Sequence, residues 1–250
     1  MRFPDLSRAA RRLAEGALAA LLPADCLLCG AYLPWRQKGS VCLPCWGGLQ
    51  WTPGYRPGPR DGVVWAADYD GEVRRLIQAY KFEALDYLGP PLGAAAAAAL
   101  RPLLGGPAQG GPAPGGPAPA GPAPGGHTTG ALPRCDVVVP VPLHFWRRYR
   151  RGFNQSQILA QALARHLGLP VAPRLLARPR AGRRQVGLGR AERLRALAGC
   201  FVAPAGKTRG LRVLLVDDVM TTGATLQACA AALRRAGAAS VLGCVVARTP

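Results

Sequence analysis

Val213-Leu-Leu-Val-Asp-Asp-Val-Met-Thr-Thr-Gly-Ala-Thr225 is the stretch of sequence that decides the fold of this chain. Four apolar residues are typical of a strand buried on both faces, two carboxylates follow at its end, and a short loop leads into a helix. Backbone N–H groups in such a loop and at the helix N-terminus form an anion-binding nest, which the helix dipole reinforces. The stretch therefore predicts a phosphate site at the carboxyl end of a strand.

The side chains of this stretch suit a sugar phosphate. Asp217 and Asp218 can accept hydrogen bonds from two vicinal ribose hydroxyls, while Gly223 lets the backbone approach closely or adopt a positive φ. Three hydroxyls can donate to one phosphate: Thr221, Thr222 and Thr225. Two plainer interpretations stay open at this point, because an acidic pair after an apolar strand also occurs in phospho-acceptor domains and a threonine at a helix start can be only a cap.

The complete stretch resembles the phosphoribosyl pyrophosphate (PRPP) loop of type I phosphoribosyltransferases. The resemblance implies that PRPP is bound together with Mg²⁺, by the residues Asp217, Asp218, Met220, Thr221, Thr222, Gly223, Ala224 and Thr225. If catalysis occurs, the carboxylates would stabilise an oxocarbenium-like ribose while Mg²⁺ and arginines stabilise the departing pyrophosphate. No residue identifies the acceptor.

Strands and helices alternate along the chain. Apolar runs predict strands at residues 63–69, 135–140, 212–216 and 240–247. Helical spacing of apolar residues predicts helices at 71–80, 91–104, 154–167 and 225–235. We expect an α/β fold, a type I phosphoribosyltransferase-like parallel sheet with helices on both faces and a small N-terminal four-cysteine zinc module. Ligands of such folds bind beyond the carboxyl ends of the strands.

Two Cys-x-x-Cys pairs form the second motif. Two such pairs complete a closed tetrahedral site for a structural Zn²⁺, here from the thiolates of Cys26, Cys29, Cys42 and Cys45. Redox or iron–sulfur use is the competing interpretation, because the spacing alone does not exclude it. A closed site cannot bind substrate, so its function would be folding or partner contact.

The composition divides the chain into five segments. We expect an amphipathic helix over residues 1–24, the zinc module over 25–52, the first part of the phosphoribosyltransferase domain over 62–104 and its core over 131–250. Residues 105–130 are almost entirely Gly, Pro and Ala, and a segment of that composition cannot bury enough apolar surface to fold. We therefore expect a disordered insertion there.

The remaining motifs narrow the resemblance to one family. The segments Pro140-Val-Pro-Leu-His144 and Arg151-Gly-Phe-Asn-Gln155, together with the paired cysteines, are similar to the ComF family of bacterial phosphoribosyltransferase-related proteins. The resemblance implies a pyrophosphate loop that contains Val141, Pro142, Leu143 and His144, with Arg150 and Arg151 beside it. It also implies a mobile flap with Arg183, Arg184, Gln185 and Arg193. A role in DNA uptake for natural transformation is implied as well.

Charge and cysteine content set the expected partners. A formal net charge of +19 favours anionic partners, among them phosphorylated small molecules and nucleic acid. Aromatic and basic residues interleave over 146–151, which suits single-stranded DNA as well as pyrophosphate. Competence proteins are further expected partners. The clustered cysteines favour a reducing cytoplasm, and no run approaches the roughly 20 apolar residues that span a bilayer.

Three functions follow from these observations. The first is a ComF-like protein that binds PRPP and Mg²⁺, with a role in DNA uptake. The second is a non-enzymatic DNA-binding adaptor that uses the fold as a nucleotide sensor. The third is a purine or pyrimidine salvage phosphoribosyltransferase, for which the sequence has no recognisable base-binding segment.

Overall fold

The computed structural model describes residues 24–33, 40–58, 62–82, 85–104, 132, 134–143, 153–179, 196–197 and 199–250. The helix expected over residues 1–24 falls outside these ranges except for Ala24, which begins a short strand. The expected insertion at 105–130 also falls outside them.

Five α-helices and seven strands form the framework of the described fold. In chain order they are β1 (Ala24–Asp25), β2 (Tyr32–Leu33), α1 (Leu43–Gly48), β3 (Gly54–Arg56), β4 (Val63–Asp68), α2 (Gly71–Phe82), α3 (Gly89–Leu104), β5 (Val137–Pro140), α4 (Gln155–Leu167), β6 (Arg212–Met220), α5 (Ala224–Arg235) and β7 (Ser240–Arg248). Strands β1 and β2 pair antiparallel and form a separate small sheet. The main sheet has five strands.

The main sheet has the order β3-β4-β7-β6-β5. Its four longer strands are parallel, as the alternation of strands and helices predicts, and the expected α/β class is confirmed. One further strand that the apolar runs do not predict, β3, pairs antiparallel with β4 at the edge of the sheet. A short connection between two neighbouring strands can only reverse the chain, whereas a parallel pair needs a crossover.

Helices cover both faces of the sheet, as expected. Side chains of β6 alternate between them, so Leu214 and Val216 pack in one cluster with α2, α3 and α4. Val213 and Leu215 pack in the other cluster with α5. All four side chains are fully buried, which explains why the strand is apolar without interruption.

Strand β6 is longer than the apolar run predicts. The run suggests an end at Val216, but pairing with β7 continues until Met220 lies opposite Arg248. Asp217 and Asp218 therefore lie within the strand, where ladder hydrogen bonds fix their backbone. The phosphate loop shortens accordingly to Thr221, Thr222 and Gly223.

The segment with the four cysteines packs on the core of the main sheet. Five of its apolar side chains are buried in the same cluster as α2 and α3: Cys26, Leu28, Leu33, Val41 and Leu49. From α2, Arg75 donates two hydrogen bonds of 2.9 Å to the backbone carbonyls of Leu27 and Leu28. The segment is therefore held directly against α2.

Candidate functional site

The loop after β6 opens a cleft at the carboxyl edge of the sheet. The cleft is lined by Asp217, Val219, Met220, Thr221, Thr222, Gly223, Ala224, Thr225 and Leu226. Seven of the eight residues that the sequence predicts for the PRPP loop line this cleft, and the eighth, Asp218, lies beside Asp217 in β6. The structure thus brings the predicted phosphate-binding and ribose-binding groups together.

Gly223 shapes the start of α5. Its φ of +75° lies in the left-handed region, which L side chains rarely adopt, and no side chain caps the helix at this position. The first N–H groups of an α-helix have no partner within the helix. One of them, the Ala224 N–H, donates to the Thr222 hydroxyl oxygen at 3.4 Å. A ligand phosphate in the cleft would meet the remaining backbone donors at the positive end of the helix dipole.

Each carboxylate of the acidic pair has one oxygen held by the protein. Oδ1 of Asp217 accepts from the Ser156 hydroxyl at 2.8 Å and from the Asp218 backbone N–H at 3.0 Å. Oδ1 of Asp218 accepts from Lys81 Nζ at 2.9 Å and from the Val219 backbone N–H at 2.6 Å. Within the described residues neither Oδ2 atom has a hydrogen-bond partner. Each carboxylate therefore keeps one oxygen to which none of the described residues donates.

The environment of Asp217 opposes its ionisation. Burial, followed by the neighbouring charge of Asp218, raises the pKa of Asp217 to about 7, although the Ser156 hydroxyl and the charge of Lys81 act in the opposite direction. Near neutral pH Asp217 is therefore only partly ionised. A ligand that donates hydrogen bonds to Asp217 favours the ionised form.

Three consecutive residues at the start of α4 form hydrogen bonds with three other elements around the site. Asn154 donates from Nδ2 to the carbonyl of Val141 at 3.2 Å, and Ser156 donates to Asp217. Between them, the backbone carbonyl of Gln155 accepts a 2.8 Å hydrogen bond from the Tyr80 hydroxyl of α2. Burial, then the charges of Asp218 and Asp86, raise the pKa of Tyr80, so it stays a donor.

The predicted pyrophosphate loop begins beside the acidic pair. Pro140 lies opposite Val216 in the pairing of β5 with β6, and the next residue, Val141, donates its N–H to the Val216 carbonyl at 2.8 Å. Pro142 and Leu143 follow at the same carboxyl edge and are half-buried. The two predicted loops therefore start on adjacent strands.

The four cysteines converge as their spacing predicts. Their Sγ atoms lie within 4.8 Å of one another, and the Cys29 and Cys42 sulfurs are 3.7 Å apart. A tetrahedron with metal–sulfur bonds of about 2.3 Å has edges of about 3.8 Å, so the arrangement fits a four-thiolate metal ion. Burial raises the pKa of Cys26, but hydrogen bonds from the backbone of Cys29, Cys42 and Leu28 outweigh this and lower it to about 6. This cluster could hold a metal ion and is consistent with a zinc module.

Comparison with known proteins places the chain in a family. Residues 154–250 match the phosphoribosyl transferase domain. The chain is 34% identical over 225 residues to DNA utilization protein YhgH of Salmonella typhi, a match that covers 86% of each chain. The chain belongs to the ComF family. Competence protein F of Haemophilus influenzae is 38% identical over 41% of this chain and 45% of its own, and competence protein ComFC of Bacillus subtilis is 37% identical over 42% and 40%.

The ComF resemblance drawn from the sequence motifs is thereby confirmed. The match to the phosphoribosyl transferase domain covers α4, β6, α5 and β7, which carry the acidic pair and the phosphate loop. No helix in the described parts of this ComF protein is long and apolar enough to cross a membrane. Several predicted site residues lie outside the described residues: His144, Arg150, Arg151, Arg183, Arg184, Gln185 and Arg193.

Sequence reasoning missed the groups that surround the acidic pair. Lys81 and Ser156 contact the two carboxylates directly, and Tyr80 and Asn154 hold the walls of the site. Lys81 did carry a signal, because this ComF chain uses arginine for nearly all of its 32 basic residues and has only three lysines. A lysine in the last turn of a helix otherwise suggests only a favourable interaction with the helix dipole.

Proposed function

We propose that this ComF-family protein binds PRPP in the cleft between β6 and α5. The observation that carries the proposal is that none of the described residues donates to Oδ2 of Asp217 or Asp218, one loop away from the N-terminus of α5. Two vicinal ribose hydroxyls would donate to the two carboxylates, and the phosphate on the same ribose would accept from the Thr221–Thr225 loop. A ligand with only the vicinal hydroxyls, or only the phosphate, would leave the other set of groups without a partner.

The pyrophosphate of PRPP would lie toward the loop that starts at Val141, since this loop and the acidic pair share one edge of the sheet. Bound Mg²⁺ would offset the negative charge of the pyrophosphate and stabilise it as a leaving group. Arg150 and Arg151 follow in the same predicted loop, and Arg183, Arg184, Gln185 and Arg193 belong to the proposed flap. Arginine suits both places, because its guanidinium binds phosphate oxygens in a bidentate manner.

The four-cysteine site holds Zn²⁺ in this proposal. Four thiolates at tetrahedral spacing satisfy the preferred coordination of Zn²⁺ and leave no open position, so the ion has a structural function. None of the eight cysteines forms a disulfide in the structure. The proposed location is the cytoplasm, where thiols are kept reduced.

DNA uptake during transformation is the proposed cellular role. The relatives named DNA utilization protein and competence protein support it, and so does the net charge of +19, which favours polyanions. Single-stranded DNA and competence proteins are the corresponding partners. An adaptor that binds DNA without turnover is the second candidate, favoured by the same names and charge.

Calorimetric titration with PRPP, with and without Mg²⁺, tests the ligand. The wild type should show saturable Mg²⁺-dependent binding, and the double variant Asp217→Asn/Asp218→Asn should lose it. Glu72→Gln, which removes an exposed carboxylate from the first turn of α2, is the matched control and should bind like the wild type. Folded, zinc-loaded wild type that binds no PRPP would refute the proposal and leave the DNA adaptor as the leading function.

Two further assays separate the enzyme from the adaptor. Pyrophosphate release from PRPP, measured with candidate acceptors, would identify turnover. Binding of single-stranded DNA that falls steeply with salt and persists in the Asp217→Asn/Asp218→Asn variant would identify an adaptor.

A further inference from the structure

Lys81 is the one described basic side chain that contacts the acidic pair. Its Nζ lies 2.9 Å from Oδ1 of Asp218, and the two side chains are 18% and 13% exposed. An ion pair with so little solvent contact is screened far less than one on the surface. The charge of Lys81 is therefore a fixed component of the site.

The position of Lys81 is set by the helix that carries it. On the buried side of α2, Val73, Leu76 and Ile77 pack into the core. The adjacent Tyr80 is completely buried and donates to the Gln155 carbonyl at the start of α4. The backbone at Lys81 is thus anchored on both the core and α4, which holds the start of the side chain close to Asp218.

Asp218 consequently has a cation on one oxygen and an open acceptor on the other. Carboxylate oxygens are the ligands that Mg²⁺ prefers, so an unpaired acidic pair would be a candidate divalent-cation site. A divalent ion on Asp218 would lie a few ångströms from the Lys81 ammonium, and like charges at that separation repel strongly where solvent is scarce. The neutral hydroxyl of a sugar meets no such repulsion.

We infer that Lys81 is a built-in counter-ion that keeps divalent metal off the carboxylate pair and reserves Asp217 and Asp218 for ribose hydroxyls. Metal then enters this site only with the phosphates of the ligand. Lys81 is in this sense a specificity-determining residue, because it makes the free site a receptor for a polyol instead of a metal centre. The part that concerns ribose rests on the proposed PRPP function, whereas the exclusion of metal does not.

Binding of Mn²⁺ to zinc-loaded protein without PRPP tests the inference, with the free ion measured by electron paramagnetic resonance. Wild type and Lys81→Arg should bind no Mn²⁺ at the acidic pair. Lys81→Met and the more polar Lys81→Gln should each gain one site at least tenfold tighter than any in the wild type. The double variant Lys81→Met/Asp218→Asn should lose the gained site, which assigns it to the carboxylate.

Two outcomes would overturn the inference. One is Mn²⁺ binding by the wild type that Asp218→Asn abolishes, since metal would then occupy the pair despite Lys81. The other is failure of both Lys81→Met and Lys81→Gln to gain a site while their zinc content and thermal unfolding match the wild type. A PRPP titration of the wild type runs in parallel, so that failure of the ligand proposal is recognised separately.

Discussion

PRPP binding should depend on pH through Asp217. The pKa of this carboxyl is raised to about 7, first by burial and then by the charge of Asp218. A ribose hydroxyl that donates to Asp217 needs the ionised carboxylate, so the free protein must release a proton before or during binding at lower pH. Affinity should therefore be constant well above pH 7 and fall as pH drops below it.

The size of this effect follows from the pKa. Each pH unit below about 7 reduces the ionised fraction nearly tenfold, so at pH 5.5 binding should be about 30-fold weaker, or about 2 kcal/mol. Ser156→Ala removes the hydroxyl that donates to Oδ1 of the ionised form. Loss of this donor raises the pKa of Asp217 further, so the whole profile should move to higher pH.

Calorimetry at fixed free Mg²⁺ from pH 5.5 to 8.5 provides the measurement. Two buffers with different heats of ionisation report the proton released on binding, which should approach one per PRPP below pH 7. The control is Asp217→Asn, which keeps an acceptor oxygen but has no proton to release. This variant should bind PRPP more weakly, and the change of its affinity with pH should reflect only the protonation of PRPP itself.

A wild-type profile that coincides in shape with that of Asp217→Asn would refute this reasoning, because Asp217 would then not be the group that titrates. An unchanged profile in Ser156→Ala would refute the part assigned to the hydroxyl.

Four further predictions concern stability and packing. Asp217→Asn should raise the melting temperature by more at pH 8 than at pH 5, because the raised pKa means that stability is lost as pH rises from the ordinary pKa of 3.8 to about 7. Gly223→Ala should cost about 1–2 kcal/mol of unfolding free energy, from its φ of +75°, and should weaken PRPP binding as well. Tyr80→Phe should cost about 1–2 kcal/mol in denaturant unfolding, because the buried Gln155 carbonyl loses its donor. Arg75→Met should speed the release of zinc to a chelator severalfold while secondary structure by circular dichroism is retained, because the carbonyls of Leu27 and Leu28 lose two hydrogen bonds.

The local part of the site could be predicted from the sequence. The apolar run at 213–216, the two carboxylates and the loop with Gly223 are contiguous, and each has a chemical requirement that its residue types reveal. The pairing of the two Cys-x-x-Cys motifs is predictable for the same reason, since four thiolates at this spacing have few other uses. Both predictions depend on residues close in sequence.

The groups that tune the site could not be predicted, because they come from distant parts of the chain. Lys81 and Ser156 reach the acidic pair only after α2 and α4 have packed on the same face of the sheet. Apart from the rarity of lysine in this chain, nothing in the sequence near Lys81 or Ser156 distinguishes it from an ordinary polar residue of a helix. The extension of β6 to Met220 has a similar origin, because the length of its partner β7 determines where the pairing ends.

Helix α2 contacts both the four-cysteine segment and the acidic pair. In its first half Arg75 holds the backbone between Cys26 and Cys29, and in its last turn Lys81 pairs with Asp218. The side chains between these contacts, Val73, Leu76 and Ile77, are buried in the core, so a shift of the helix at one end would disturb the other. A closed cysteine site cannot touch a ligand in the cleft. Through α2 it nevertheless helps to set the position of the cation that decides what the carboxylates bind.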